Sequence, residues 1–126
     1  PVAAGATWKL INNMLVSVQI SALGEAMALA ARAGFDAKLA ASLLESSAVA
    51  SGAIKTKLPR MVAHDYAAPD FLLSLMLKDT RYVTAMAREL GLDLKLAPAA
   101  AELYAAAEKR GLGGDDLAAV LEAVGE

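Results

Sequence analysis

The 126 residues suffice for one domain with a real core, and the 57% hydrophobic share, rich in alanine, suits closely packed helices. A net charge of -2, with scattered Lys and Arg, argues against nucleic-acid binding. The absence of cysteine excludes disulfides and thiolate sites, and the single histidine excludes a multi-histidine site, so we expect no metal. Polar residues interrupt every long apolar run, so we expect no membrane span and a soluble, cytoplasmic protein.

The first strong pattern predicts a long helix from Trp8 to Gly34, which no proline interrupts and which glycine can end in a left-handed conformation. Apolar residues fall on two opposite stripes at about 100° per residue. The first stripe contains Val16, Ile20, Leu23 and Met27. The second contains Ile11, Met14, Val18, Ala22 and Leu29. A helix that is apolar nearly all round is expected to lie in the middle of its fold.

Two polar residues, Lys9 and Asn13, extend the first stripe toward the amino end, four residues apart on one face. Polar groups on a core-facing stripe lose hydration unless something satisfies them. One interpretation is structural: Lys9 reaches water and Asn13 bonds a neighbouring helix. The other interpretation is that the two residues belong to a functional site.

The next segment is less regular. Asp36 is a good N-cap for a second helix to about Ala48, and its predicted apolar face comprises Leu39, Leu43 and Leu44. A short helix is expected between residues 53 and 69, limited by Pro59. We interpret His64, beside an aspartate, as a solvated turn histidine rather than a catalytic one.

The second informative helix is predicted from Phe71 to Leu90, closed by Gly91. Its apolar stripe contains Leu72, Leu75, Met76, Val83, Met86 and Leu90. Asp79 lies in the middle of that stripe. A buried carboxylate without a partner costs several kcal/mol or takes up a proton, so Asp79 needs a cationic or hydrogen-bonding partner. Either a structural ion pair with Lys or Arg, or a functional site, would explain it.

The remaining residues predict two more helices. One starts at Pro98 and ends in Lys109 and Arg110 before Gly111, where cations suit the helix dipole. A turn with Asp115 and Asp116 then caps a short last helix, and capping explains these aspartates better than metal binding. No strand-like alternation and no phosphate-binding glycine motif occurs. We therefore predict an all-α fold of five to six helices around one long central helix.

Three separated blocks resemble the β-hydroxyacid dehydrogenases, the family of 3-hydroxyisobutyrate dehydrogenase and tartronate semialdehyde reductase. Residues 5–13, GATWKLINN, look like the family's G-x-x-x-K-L-x-N-N signature. Phe71 followed by Leu77-Lys78-Asp79 looks like its second block, and 103–104 with 111–116 look like its ending. The resemblance covers residues 1–126 as the family's C-terminal helical domain, which is like that of 6-phosphogluconate dehydrogenase. The N-terminal Rossmann half, with its dinucleotide fingerprint, is not in this chain.

The resemblance implies roles for five residues. Lys9 matches the catalytic lysine, a general acid in reduction and general base in oxidation, and Asn13 matches the asparagine that orients the substrate. Lys78 matches a lysine on the cofactor side, while Phe71 and Asp79 match residues that line the cleft. The implied cofactor is NAD or NADP, and the implied substrate is a small hydroxy acid or semialdehyde. A homodimer or homotetramer is implied too, and this chain alone should not turn over substrate.

The alternative hypothesis is a non-catalytic helical module for oligomerisation or interaction. In that case Lys9 and Asn13 only satisfy a core, and Asp79 belongs to a structural ion pair. Replacing Asp79 by Asn separates the hypotheses, because a module should lose stability whereas an enzyme should lose rate with its fold largely intact.

Overall fold

The computed structural model describes residues 4–125. Five α-helices follow one another: α1 (Ala4–Arg32), α2 (Ala37–Glu45), α3 (Gly52–Ala63), α4 (Leu73–Glu89) and α5 (Leu96–Ala107). A π-helical turn (Glu108–Leu112) and a 3₁₀ helix (Leu117–Ala123) complete the described chain. Within residues 4–125 no strand forms, although a single antiparallel bridge joins Leu72 to Asp116. The predicted all-α fold is confirmed.

Helix α1 begins earlier than the predicted start at Trp8 and ends at Arg32. Gly34 adopts a φ of +93°, and the Phe35 N–H donates to the Ala30 carbonyl at 2.9 Å. This is the left-handed helix end that glycine favours, because a side chain at a positive φ is strained. The predicted stop at Gly34 is confirmed.

Helix α1 is central but is not buried all round, which corrects the prediction from its two stripes. It contacts the other four α-helices and the 3₁₀ helix. Its buried residues are Ser17, Ile20, Ser21, Leu23, Gly24 and Met27. On the second stripe Leu29 is 71% exposed and Ala22 is also exposed. The first stripe therefore packs against the core, whereas the second is only partly covered, since Ile11, Met14 and Val18 are half buried.

By length and composition, α1 could cross a membrane, contrary to the expectation that its polar residues exclude this. A third of its most apolar stretch is buried inside the domain. Central helices of soluble proteins share this length and composition, so one such helix is weak evidence for a membrane span.

The N-cap predicted for α2 is confirmed, because the Asp36 carboxylate accepts a hydrogen bond from the Leu39 N–H at 3.1 Å. The helix ends three residues before the predicted Ala48, where two serine hydroxyls bond back to its last carbonyls. Its predicted apolar face is largely exposed: Leu39 and Leu43 are half exposed, and Ala40 is its only residue classed as buried.

Pro59 lies inside α3 rather than limiting it, which corrects the prediction. The Ser51 hydroxyl accepts from the Ile54 N–H and caps the helix start. A proline removes one helical hydrogen bond. Here Leu58 and Met61 are almost fully buried beside it, and we attribute the continuation of the helix to this packing.

Helix α4 begins at Leu73, after Leu72 in an extended conformation, rather than at the predicted Phe71. Three members of its predicted stripe, Leu72, Leu75 and Leu90, are exposed by 40% or more. Its buried residues are Leu73, Met76, Leu77, Thr80, Val83, Thr84 and Ala87. The buried face is therefore rotated from the predicted stripe, and Asp79 lies at its edge.

Two threonines explain why the buried face of α4 differs from the predicted apolar stripe. Thr80 and Thr84 are buried, and their hydroxyls donate to the carbonyls of Met76 and Thr80 at 2.7 and 2.8 Å. These bonds within the helix satisfy the hydroxyls, so each threonine packs against apolar neighbours without a desolvation penalty.

The end of the chain follows the prediction in outline. Helix α5 starts two residues before the predicted Pro98, and the π-helical turn contains Gly111 with a φ of +85°. The Asp116 carboxylate accepts from the Ala118 N–H at 2.9 Å, which confirms the predicted cap of the last helix. Tyr104 lies in the core with no exposed surface.

Candidate functional site

The candidate site is built on a contact between α1 and α4. The Asn13 side-chain amide donates a hydrogen bond to the Asp79 carboxylate at 2.9 Å, and both residues are half buried. Within residues 4–125 no Lys or Arg nitrogen pairs with this carboxylate. Asp79 thus has the hydrogen-bonding partner that the sequence called for, and the structural ion pair, one of its two alternative explanations, does not form among these residues. Its partner is an amide, which leaves a half-buried carboxylate without a countercharge.

Lys9 lies one helical turn before Asn13 on the same face of α1. The residue is exposed, and no ion pair of its ammonium group is found in the described part of the chain. About 6 Å of helix axis separates the two positions. Lys9 thus precedes the contact between Asn13 and Asp79 by one turn of α1.

Lys78 lies on a different face of α4. It lines an open groove of about 600 Å³, to which Lys9, Asn13 and Asp79 do not contribute. The groove is lined by Ser74, Leu77, Lys78, Arg81, Tyr82, Ala85, Met86, Glu89 and Glu108. Neither Lys78 nor Arg81 forms an ion pair among residues 4–125. The two cations share the groove with the carboxylates of Glu89 and Glu108, so its lining carries charges of both signs.

Phe71 lies in the loop before α4, half buried against the core. Asp79 lies inside α4, eight residues farther along the chain. The structure therefore joins Asn13 and Asp79 directly, whereas Phe71 and Lys78 border other parts of α4.

A buried ion pair near Phe71 was missed by the sequence interpretation. The Lys57 ammonium lies 2.8 Å from the Asp116 carboxylate, and the two residues are 5% and 0% exposed. Burial opposes ionisation of Asp116, but the hydrogen bonds from Lys57 and from the Ala118 N–H outweigh it and lower the pKa of Asp116. The available signal was a lysine at helical spacing from Ile54 and Met61.

A second cluster surrounds His64. This residue ends α3 with a φ of +49° and an exposed ring, which confirms the predicted exposed turn. Its Nδ1 lies 2.5 Å from the Glu122 carboxylate, to which the Tyr66 hydroxyl also donates at 2.5 Å. Burial opposes ionisation of Glu122, but the hydrogen bonds from Tyr66 and His64 prevail and lower its pKa. Burial and the same carboxylate raise the pKa of Tyr66.

The described residues contain no group of three or more His, Asp or Glu side chains that could hold a metal ion. Asp115 and Asp116 belong instead to the turn and the cap described above.

Comparison with known proteins identifies relatives across nearly the whole chain. Residues 3–124 match the family described as NAD-binding of NADP-dependent 3-hydroxyisobutyrate dehydrogenase. L-Threonate dehydrogenase of Pectobacterium atrosepticum is 34% identical over 121 residues, covering 96% of this chain and 40% of that protein. Glyoxylate/succinic semialdehyde reductase 1 of Arabidopsis thaliana is 34% identical over 123 residues, covering 98% and 42%.

A solved structure shows the same fold. The crystal structure of 3-hydroxyisobutyrate dehydrogenase from Salmonella typhimurium superposes with a TM-score of 0.89 and 34% identity, covering 94% of this chain and 41% of that one. The chain thus spans about two fifths of the length of these relatives. The matched family, the sequence identities and the shared helical fold together show that this chain belongs to the β-hydroxyacid dehydrogenase family.

Proposed function

We propose that this chain is the C-terminal helical part of an NAD(P)-dependent dehydrogenase that acts on a small 2- or 3-hydroxy acid, with Lys9 as general acid and base. The observation that carries the proposal is the arrangement of Lys9 and Asn13 on one face of α1, with Asn13 held by Asp79 at 2.9 Å. Membership of the family supports a nicotinamide cofactor.

Lys9 is the group that transfers the proton in the proposed reaction. When bound, a nicotinamide supplies hydride to a carbonyl carbon or accepts it from a hydroxyl-bearing carbon. In reduction the Lys9 ammonium donates its proton to the carbonyl oxygen, which becomes the product hydroxyl. In oxidation the neutral amine takes the proton from the substrate hydroxyl. The exposed position of Lys9 leaves it accessible to a substrate at this end of the domain.

Asn13 is suited to orient the substrate. One of its two N–H groups bonds Asp79, which leaves the second N–H to donate to a hydroxyl or carboxylate oxygen and the carbonyl oxygen to accept from a hydroxyl. Because Asp79 can only accept when ionised, it selects the amide orientation in which the nitrogen faces α4. Asp79 is therefore proposed to act through Asn13 at the wall of the cleft.

The cofactor would meet the other face of α4. Lys78, with Arg81 one turn later, offers two cations without ion-pair partners in the described chain that can bind the phosphates of a dinucleotide. Glu89 and Glu108 line the same groove and oppose an anion there. Whether NAD or NADP binds would be decided in a Rossmann half, where the ribose 2′ position is recognised. Relatives with the same 34% identity carry the names of different substrates, so the identity values do not select one.

A self-associating module is the second candidate, and exposed leucines favour it. Leu29, Leu39 and Leu43 are each exposed by 50% or more near the junction of α1 and α2. A homodimer or homotetramer would cover such surface. This role is compatible with catalysis, and it replaces catalysis only if the Lys9 site proves inactive.

The deciding experiment uses the full-length gene product, defined by reading the coding sequence upstream of Pro1. We expect a Rossmann half and turnover of a hydroxy acid with NAD or NADP. A full-length product that carries a Rossmann half but oxidises no 2- or 3-hydroxy acid and reduces no semialdehyde would contradict the proposal.

A further inference from the structure

The buried pair formed by Lys57 and Asp116 joins three separate segments of the chain. Lys57 comes from α3, and Asp116 precedes the 3₁₀ helix. One Asp116 oxygen accepts from the Lys57 ammonium at 2.8 Å and from the backbone N–H of Asp70 at 3.0 Å. The same oxygen accepts from the Phe71 N–H at 3.4 Å. The carboxylate therefore bonds the loop that leads into α4.

Backbone hydrogen bonds also join the loop before α4 to the segment around Asp116, on both sides of Phe71. The Phe71 carbonyl accepts from the Leu117 N–H at 2.9 Å, and the Leu73 N–H donates to the Asp115 carbonyl at 2.9 Å. The Ser74 N–H donates to the Gly113 carbonyl at 3.0 Å. The loop and the first turn of α4 are thus attached residue by residue to the segment that contains Asp116.

Capping of the 3₁₀ helix does not by itself require the pair of Lys57 and Asp116. Capping of the 3₁₀ helix uses the other Asp116 oxygen, which accepts from Ala118. A buried ion pair is seldom more stabilising than well-packed apolar residues, since both charges lose hydration. Directional bonds from a charged oxygen do hold backbone groups in fixed positions.

We propose that Lys57 and Asp116 are a positioning pair that sets Phe71 against the substrate and cofactor. The inference rests on the proposed function and on the place in the cleft that the family resemblance implies for Phe71. Lys57 holds the carboxylate in place, and the carboxylate holds the Phe71 N–H. Neither charged group is exposed enough to touch a ligand, because their side chains are 7% and 0% exposed. They act through the groups that they bind, which are the Asp70 and Phe71 N–H groups and, for Lys57, also the Asp70 carboxylate at 3.3 Å.

A double-mutant cycle on the full-length enzyme tests this role. The proteins are the parent, Lys57→Met, Phe71→Ala and the double variant, and the readouts are kcat, the KM of cofactor and substrate, and Tm. We expect Lys57→Met to raise the KM of the substrate or of the cofactor about tenfold, which is the size of effect that a misplaced binding group produces. In the Phe71→Ala background the same change should add almost nothing, while Tm falls in both.

Three further variants keep the test decisive. Lys57→Arg retains the cation and should restore much of the KM. Asp116→Asn, which removes the other charge of the pair, replaces Lys57→Met in the cycle if that variant does not fold. Lys55→Met, at an exposed lysine of the same helix, is the matched control. A Tm loss without a KM change, or equal KM effects in both Phe71 backgrounds, would overturn the positioning role and leave the proposed function intact. A parent enzyme without any turnover would overturn both.

Discussion

The Asn13 amide and the Asp79 carboxylate meet across α1 and α4 at 2.9 Å, and no cation neutralises the carboxylate within residues 4–125. A half-buried charge that is bonded to one neutral donor contributes little to stability, because the charge loses hydration without gaining a countercharge. It is a good choice for fixing the orientation of an amide next to a reacting group. Activity and stability should therefore respond differently to changes at these positions.

Replacing Lys9 by Ala should collapse turnover in the full-length enzyme. Loss of a positioned acid or base typically lowers kcat by about 10²–10⁴-fold. Because Lys9 is exposed, the fold and the cofactor affinity should be largely kept. Steady-state kinetics and cofactor titration measure the two effects, with Lys55→Ala as the exposed-lysine control. Near-normal turnover in Lys9→Ala would refute its assigned role.

The Asp79→Asn variant should lose rate more than stability. A neutral amide oxygen still accepts from Asn13, so the unfolding free energy should fall by only about 1 kcal/mol. Asn can also present its nitrogen, which removes the selection of one Asn13 orientation, so we expect kcat to drop about tenfold or more. A large fall in unfolding free energy with unchanged kcat would support the interaction module instead.

Acid should destabilise the protein partly through Asp116. Because folding lowers the pKa of Asp116 below its unfolded value of 3.8, its contribution is complete above that value and is lost as the pH falls through the lower folded pKa. Asp116→Asn should lower stability at pH 7 by about 2 kcal/mol, since it removes a charge-assisted hydrogen bond of buried Lys57, which keeps the Asp70 carboxylate at 3.3 Å. Between pH 5 and pH 2 the unfolding free energy of Asp116→Asn should fall less than that of the parent, because the variant has no carboxylate at this position to protonate.

Urea unfolding at a series of pH values measures this difference. The lowered pKa of Glu122 has the same sign, so Asp116→Asn should reduce the acid sensitivity without abolishing it. Identical pH slopes in the parent and Asp116→Asn would show that the buried pair does not contribute to it.

Gly24 should accept alanine but no larger residue. A Cβ at this position of α1 would lie 3.4 Å from the Leu121 Cα, which is ordinary van der Waals contact. Gly24→Ala should therefore raise the unfolding free energy by up to about 1 kcal/mol through helix propensity. Gly24→Leu should lower it by about 1–3 kcal/mol, because the added atoms overpack the contact with the 3₁₀ helix.

Thermal and urea unfolding would check both Gly24 variants. Gly34→Ala is a useful contrast, because its φ of +93° makes a side chain there strained although the surrounding space is open. It should lower the unfolding free energy by about 1 kcal/mol. Stabilisation by alanine at Gly34 but not at Gly24 would reverse the expected order.

The sequence by itself determined the features that depend on neighbouring residues. The cap at Asp36, the cap at Asp116 and the left-handed helix ends at Gly34 and Gly91 follow from local hydrogen bonding and backbone sterics. The helical class and the central place of α1 follow from apolar spacing. The blocks around Lys9 and Asp79 likewise identified the family, because their residues are close in sequence.

Only the tertiary structure decided which sides of the helices are buried and which polar groups meet. It made Thr80 rather than Asp79 a core residue of α4, because neighbouring helices select the face that packs. It paired Asn13 with Asp79 over 66 positions, and Lys57 with Asp116 over 59. Such contacts depend on how the helices cross, and side-chain packing between distant segments sets that geometry.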